Sequence, residues 1–175
     1  MDSPLLPLVG FIRLLSQRGR LATLEQLLPL SGLDLEVEDV PAAWQTLVAD
    51  PSYRDLRLLS EGENHYLYSN ASMVDAYAER YVAIQSGRLV QTVAEHIRHY
   101  SALGEVFPQS TLNHPPYQLD ETAQAALRAQ LHADDQTRDI DWGEGRDGPY
   151  GFSCHHLSRD YAAVLANQDP FEFCC

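Results

Sequence analysis

Leu56-Arg57-Leu58-Leu59, then Ser60-Glu61-Gly62-Glu63-Asn64, then His65-Tyr66-Leu67-Tyr68 is the stretch that decides the fold. Two short apolar-rich runs around a five-residue, Gly-containing connection predict a β-hairpin. Three helical patterns precede it. Leu5, Leu8, Val9, Ile12 and Leu15 recur at helical spacing and predict an amphipathic helix ending near Gly19. Thr23-Leu24-Glu25-Gln26 reads as a capping box opening a second helix, limited by Pro29 and ended by Gly32. Pro41 suits the first position of a third helix running to about Asp50, with Trp44, Leu47 and Val48 on its buried side.

Three helices followed by a hairpin resemble a winged-helix domain. The run from Leu8 to Ser69 is similar in rhythm to the first domain of the acidic chromosome-segregation ScpB proteins. That resemblance covers about a third of the chain and implies the fold, together with work through protein contacts. Beyond it the sequence departs from the pattern. It shows no second helix-turn-helix unit and no internal repeat.

The expected fold is therefore mainly α. Residues 1–70 form a winged-helix-like domain, 71–103 a long connecting helix, and 104–175 a helical region with an acidic, Gly-rich loop and a Cys-Cys tail. Ser72 with Asp75 opens the connecting helix, which bends at Ser86-Gly87 and runs to Tyr100. Residues 104–119 read as an irregular connection, Asp120 as the cap of an Ala-rich helix, and Ser153 to Asn167 as the last helix.

Composition narrows the function. The net charge is −13, and the chain contains no lysine. Without lysine there is no Walker lysine, Schiff base or Ser–Lys dyad. The acidic field repels phosphate backbones and anionic membrane surfaces. The third helix carries no basic residue and the hairpin connection carries Glu61 and Glu63, so direct nucleic-acid binding is not expected. The apolar run Leu5–Ile12 is too short to span a membrane, and Asp2 stands where a signal peptide has a basic region. Three cysteines, all near one end, do not form a disulfide framework, and a reducing cytoplasm is the expected home.

Those cysteines carry the one metal-like signal. Cys154, His155, His156, Cys174 and Cys175 offer thiolates and imidazoles suited to zinc or an iron–sulfur cluster. Against that stands Cys154 as a small hydrophobe beside Leu157 and Tyr161, with the tail packed through Phe171 and Phe173. Gly143-Glu144-Gly145-Arg146-Asp147-Gly148 matches a dinucleotide fingerprint by letter. It lacks the strand before it and the helix after it, and reads as a solvated loop. His96 and His99 share a helix face at a spacing that metal sites use, as surface histidines also do.

No catalytic signature appears, and the reading leans away from an enzyme. The leading expectation is an accessory or adaptor protein docking on a partner such as a cytoplasmic redox or metal enzyme. Trp44, Tyr66 and Tyr68 are its candidate contact residues. The alternatives are a small metal-binding or thiol carrier using the Cys/His cluster, and a transcription regulator acting within a complex. A homo-oligomer is compatible with any of these.

Overall fold

The computed structural model describes residues 5–31 and 39–168 of the chain. Gly32, Cys174 and Cys175 lie outside the described residues. The chain divides into two compact units, Met1–Val82 and Ala83–Cys175.

The first unit begins with α1 (Val9–Gln17), whose residues Val9, Ile12 and Ser16 are buried. β1 (Ala22–Thr23) leads into α2 (Leu24–Ser31), where the Thr23 hydroxyl accepts the Gln26 N–H as the capping motif requires. α3 (Val40–Val48) has proline in its first turn and buries Val40, Trp44 and Leu47. The hairpin follows as β2 (Leu56–Glu61) and β3 (Asn64–Ser69), and β1 adds to β3 to give the antiparallel sheet order β1-β3-β2. Gly62 turns the hairpin at φ 60°, a conformation glycine adopts at little cost. One face of this sheet joins α1 and α3 in a core of Leu8, Ile12, Leu27, Trp44, Leu56 and Leu67. The other face carries Tyr66 and Tyr68 against Met73, Ala78 and Val82, the last two from α4 (Asp75–Gln85).

The second unit repeats this order. It runs α5 (Leu89–Ala102), β4 (Phe107–Pro108), a 3-10 turn at Gln109–Asn113, α6 (Glu121–Ala133), β5 (Ile140–Gly145), β6 (Gly148–Ser153) and α7 (Arg159–Asn167). Its sheet order, β4-β6-β5, is the same. The correspondence extends to single hydrogen bonds. Ser16 Oγ accepts the Ser69 N–H at 2.8 Å, and Ser101 Oγ accepts the Ser153 N–H at 2.9 Å. Gly19 and Gly104 end α1 and α5 at φ 69° and 77°, each followed by a residue whose N–H reaches back to the last turn (Arg20 to Leu15, Glu105 to Tyr100). Asp50 and Asp134 cap matching 3-10 turns by accepting from Ser52 and Gln136. The absence of a repeat, expected from the sequence, is overturned.

Three further expectations need correction. Residues 71–103 are not one helix: α4 and α5 are separate, parted at Gly87, whose φ of 81° lies outside the helical region. Residues 104–175 are not simply helical. The acidic, Gly-rich stretch is the β5–β6 hairpin, so the described fold is mixed, with helices around two small antiparallel sheets. The last helix begins at Arg159, where the Ser158 hydroxyl accepts from Tyr161, and Cys154-His155-His156 form the turn before it.

Of the glycines that made the acidic, Gly-rich stretch look like a loop, Gly148 serves the turn at φ 109°, and Gly143 and Gly145 answer to close packing. A Cβ on Gly143 would sit 2.4 Å from the Tyr150 hydroxyl oxygen, and one on Gly145 would sit 2.8 Å from Cβ of Ala166 in α7.

Candidate partner-binding site

In each unit an aspartate, half-buried Asp55 in the first and buried Asp139 in the second, ties the hairpin to the first helix. Arg13 Nε donates to Asp55 Oδ2 at 3.0 Å, and the Ser69 hydroxyl donates to the same oxygen at 2.6 Å. Arg98 Nε donates to Asp139 Oδ2 at 2.9 Å, and the Ser153 hydroxyl donates to it at 2.6 Å. Each arginine also donates to a main-chain carbonyl, Ser52 and Gln136 respectively. The arginine first, then the serine hydroxyl, hold each aspartate well below the usual carboxylate range, at about 2, against the opposing effect of burial. These groups are fully engaged, so the networks are structural.

The residues expected to contact a partner fall on two faces. Trp44 is buried in the first core and lines a groove between α3 and β2. Tyr66 and Tyr68 lie on the opposite sheet face, both buried, and the Tyr68 hydroxyl donates to Asp75 at 2.9 Å. Burial and the Asp75 carboxylate push the Tyr68 phenol up. The structure does not bring these three side chains into one patch.

The residues expected to bind metal are only partly in view. Cys154, His155 and His156 are exposed in the turn after β6. His155 Nδ1 stands 3.5 Å from Asp139 Oδ2, an oxygen that already takes Arg98 and Ser153. Partial burial, then Asp141, raise the Cys154 thiol, which disfavours the thiolate a metal ligand or nucleophile needs. Among the described residues no group of three His, Cys, Asp or Glu side chains converges as a metal site. His96 is engaged in packing: its Nδ1 lies 2.9 Å from the Tyr117 hydroxyl, and its ring meets Tyr100 and Phe107 edge-on.

The groove beside Trp44 is the feature the sequence reading did not find. Pro41, Trp44 and Val48 of α3 form one wall, and Leu56 and Leu58 of β2 the other, with Arg54 and Arg57 at its margin. β2 is an edge strand. The Asn70 N–H donates to the Asp55 carbonyl, so the ladder alternation turns the backbone groups of Leu56, Leu58 and Ser60 away from β3. Arg57 Nη1 donates to the carbonyls of Arg54 and Leu56, which holds its guanidinium along that edge. Neither Arg54 nor Arg57 pairs with a carboxylate among the described residues.

The same place in the second unit has a different lining. Arg128 of α6, in the position of Trp44, lies over the Trp142 ring at 5.5 Å. Arg138, in the position of Arg54, pairs with Asp135, and Asp141, in the position of Arg57, pairs with Arg159. The repeat that aligns these positions leaves a trace in the sequence. Ile12-Arg13-x-x-Ser16-x-x-Gly19 recurs as Ile97-Arg98-x-x-Ser101-x-x-Gly104, and Arg54-Asp55-Leu56 as Arg138-Asp139-Ile140.

Compared with protein-family models, curated proteins and solved structures, the chain has no match in any of the three. No helix among the described residues is long and apolar enough to cross a membrane.

Proposed function

We propose that this chain is a non-catalytic adaptor built from two winged-helix units, which docks on a partner protein. The observation that carries this reading is the chemistry of the two surfaces a nucleic-acid-binding winged helix would use. α3 has no basic side chain, and the one arginine of α6, Arg128, is laid over Trp142. Acids outnumber basic residues at both hairpin tips, with Glu61 and Glu63 in one unit and Glu144 and Asp147 in the other, where Arg146 pairs with Asp147. Phosphate contacts by arginine or lysine supply much of the affinity for nucleic acid, and α3 and the two tips offer more carboxylates than guanidiniums. A duplicated scaffold that keeps its core networks while its surfaces diverge suits a protein whose work is contact.

The test is affinity purification of the tagged chain from its native host, followed by reconstitution from purified components. A single stoichiometric protein partner that rebinds in analytical ultracentrifugation is expected. Recovery of the chain alone, or a salt-dependent gel shift with duplex DNA at low-micromolar protein, would overturn the reading.

A further inference from the structure

The two units make a controlled comparison: one fold, the same groove position, two different chemistries. In the second unit the position is filled by Arg128 over Trp142, and its flanking charges are internally paired. In the first unit it is open, walled by Trp44, Val48, Leu56 and Leu58, and flanked by Arg54 and Arg57 with no carboxylate partner among the described residues. An open apolar slot alone would say little about its occupant. An outward-facing strand edge beside it says that the occupant is extended backbone, because the N–H and C=O groups of Leu58 and Ser60 point away from β3. The two guanidiniums say which charge it carries.

We infer that the groove between α3 and β2 of the first unit binds an extended, apolar peptide segment of the partner that carries one or two carboxylates. The segment adds to β2 as a fourth strand. Its backbone pairs with Leu58 and Ser60, one apolar side chain enters beside Trp44 and Val48, and its carboxylates meet Arg54 and Arg57. Arg54 and Arg57 are the charged residues of the groove lining, while Asp39 and Asp50 flank α3 and Asp55 is held by Arg13 and Ser69. At physiological salt, charges more than about 8 Å away are largely screened, which leaves the remainder of the −13 charge to disfavour only strongly acidic tracts. This inference rests on the adaptor reading for its biological meaning but not for its test.

The probes are three short peptides alternating valine and threonine, in which two threonines are replaced by aspartates, by lysines, or by nothing. Each is titrated into the isotopically labelled full chain and followed by amide and indole NMR shifts. The aspartate peptide is expected to shift Leu58, Ser60 and the Trp44 indole, and to leave Ile140–Gly145 unmoved. Arg54→Gln with Arg57→Gln is expected to weaken it about tenfold, and Arg54→Glu with Arg57→Glu to reverse the preference toward the lysine peptide. Ser60→Pro removes an outward N–H that an edge strand does not use internally, and is expected to abolish binding with the fold intact. Shifts that are absent from β2, equal for the aspartate and lysine peptides, or equal at β5 overturn the inference. If the glutamate variants misfold, the three-peptide comparison on the unaltered chain still decides. If the purified partner binds but the Arg54/Arg57 variants capture it unchanged, this inference fails while the adaptor reading stands.

Discussion

Asp139 is 5% exposed and Asp55 20%, and each is shared between an arginine and a serine hydroxyl. Asp139→Asn replaces a charge-assisted acceptor in the drier site and is expected to cost about 2 kcal/mol; Asp55→Asn is expected to cost less. Urea unfolding of the two variants checks the order. The pH dependence has a definite sign. Both carboxyls lie at about 2 in the folded chain, below the ordinary aspartate value of about 3.9, so the unfolded chain binds more protons as pH falls. Their contribution is present above about pH 4 and is lost as pH drops toward 2. The expected result is a wild-type urea midpoint that declines across that window, and a shallower decline in Asp55→Asn with Asp139→Asn. An unchanged slope in the double variant would remove these aspartates as the source. Local sequence gives no sign of this role for Asp139, because the arginine that engages it lies forty-one positions earlier, on α5.

At the scale of elements, helices were the more legible. The helical patterns led to α1, α3 and α6, and Thr23 and Asp120 cap as their local spacing demands. The second hairpin was hidden, since glycine and acidic residues are depleted in strands on average. What admits them is a demand from outside the strand. Gly145 lies under Ala166, and the Arg146 N–H donates to the Ala166 carbonyl at 3.3 Å, so β5 and α7 meet where a side chain would intrude. Gly145→Val is expected to push α7 from the hairpin at a cost of about 1–3 kcal/mol. Hydrogen exchange would show it as lost protection at Ala162 and Arg146, with the first unit's sheet unaffected. Retained protection at both amides would mean that the contact tolerates a side chain.

For the whole molecule, the repeat places Ile12 and Ile97 at the same point of two separate cores, each fully buried. Either isoleucine changed to alanine is expected to cost about 2–5 kcal/mol, with faster amide exchange confined to its own unit; exchange spreading equally through both would mean a single cooperative core. The sequence by itself determined the helix patterns, the first hairpin, the acidic surface and the lack of lysine, because these follow from local periodicity and composition. The tertiary structure decided the duplication, the second hairpin, the burial of Tyr66 and Tyr68 and the open groove of the first unit. Each of those depends on groups far apart in the chain. The two copies keep their Arg, Asp and Ser partners, which the fold needs in both, as short matches such as Arg54-Asp55-Leu56 and Arg138-Asp139-Ile140, while the letters between them have diverged and only the fold shows that the matches belong together.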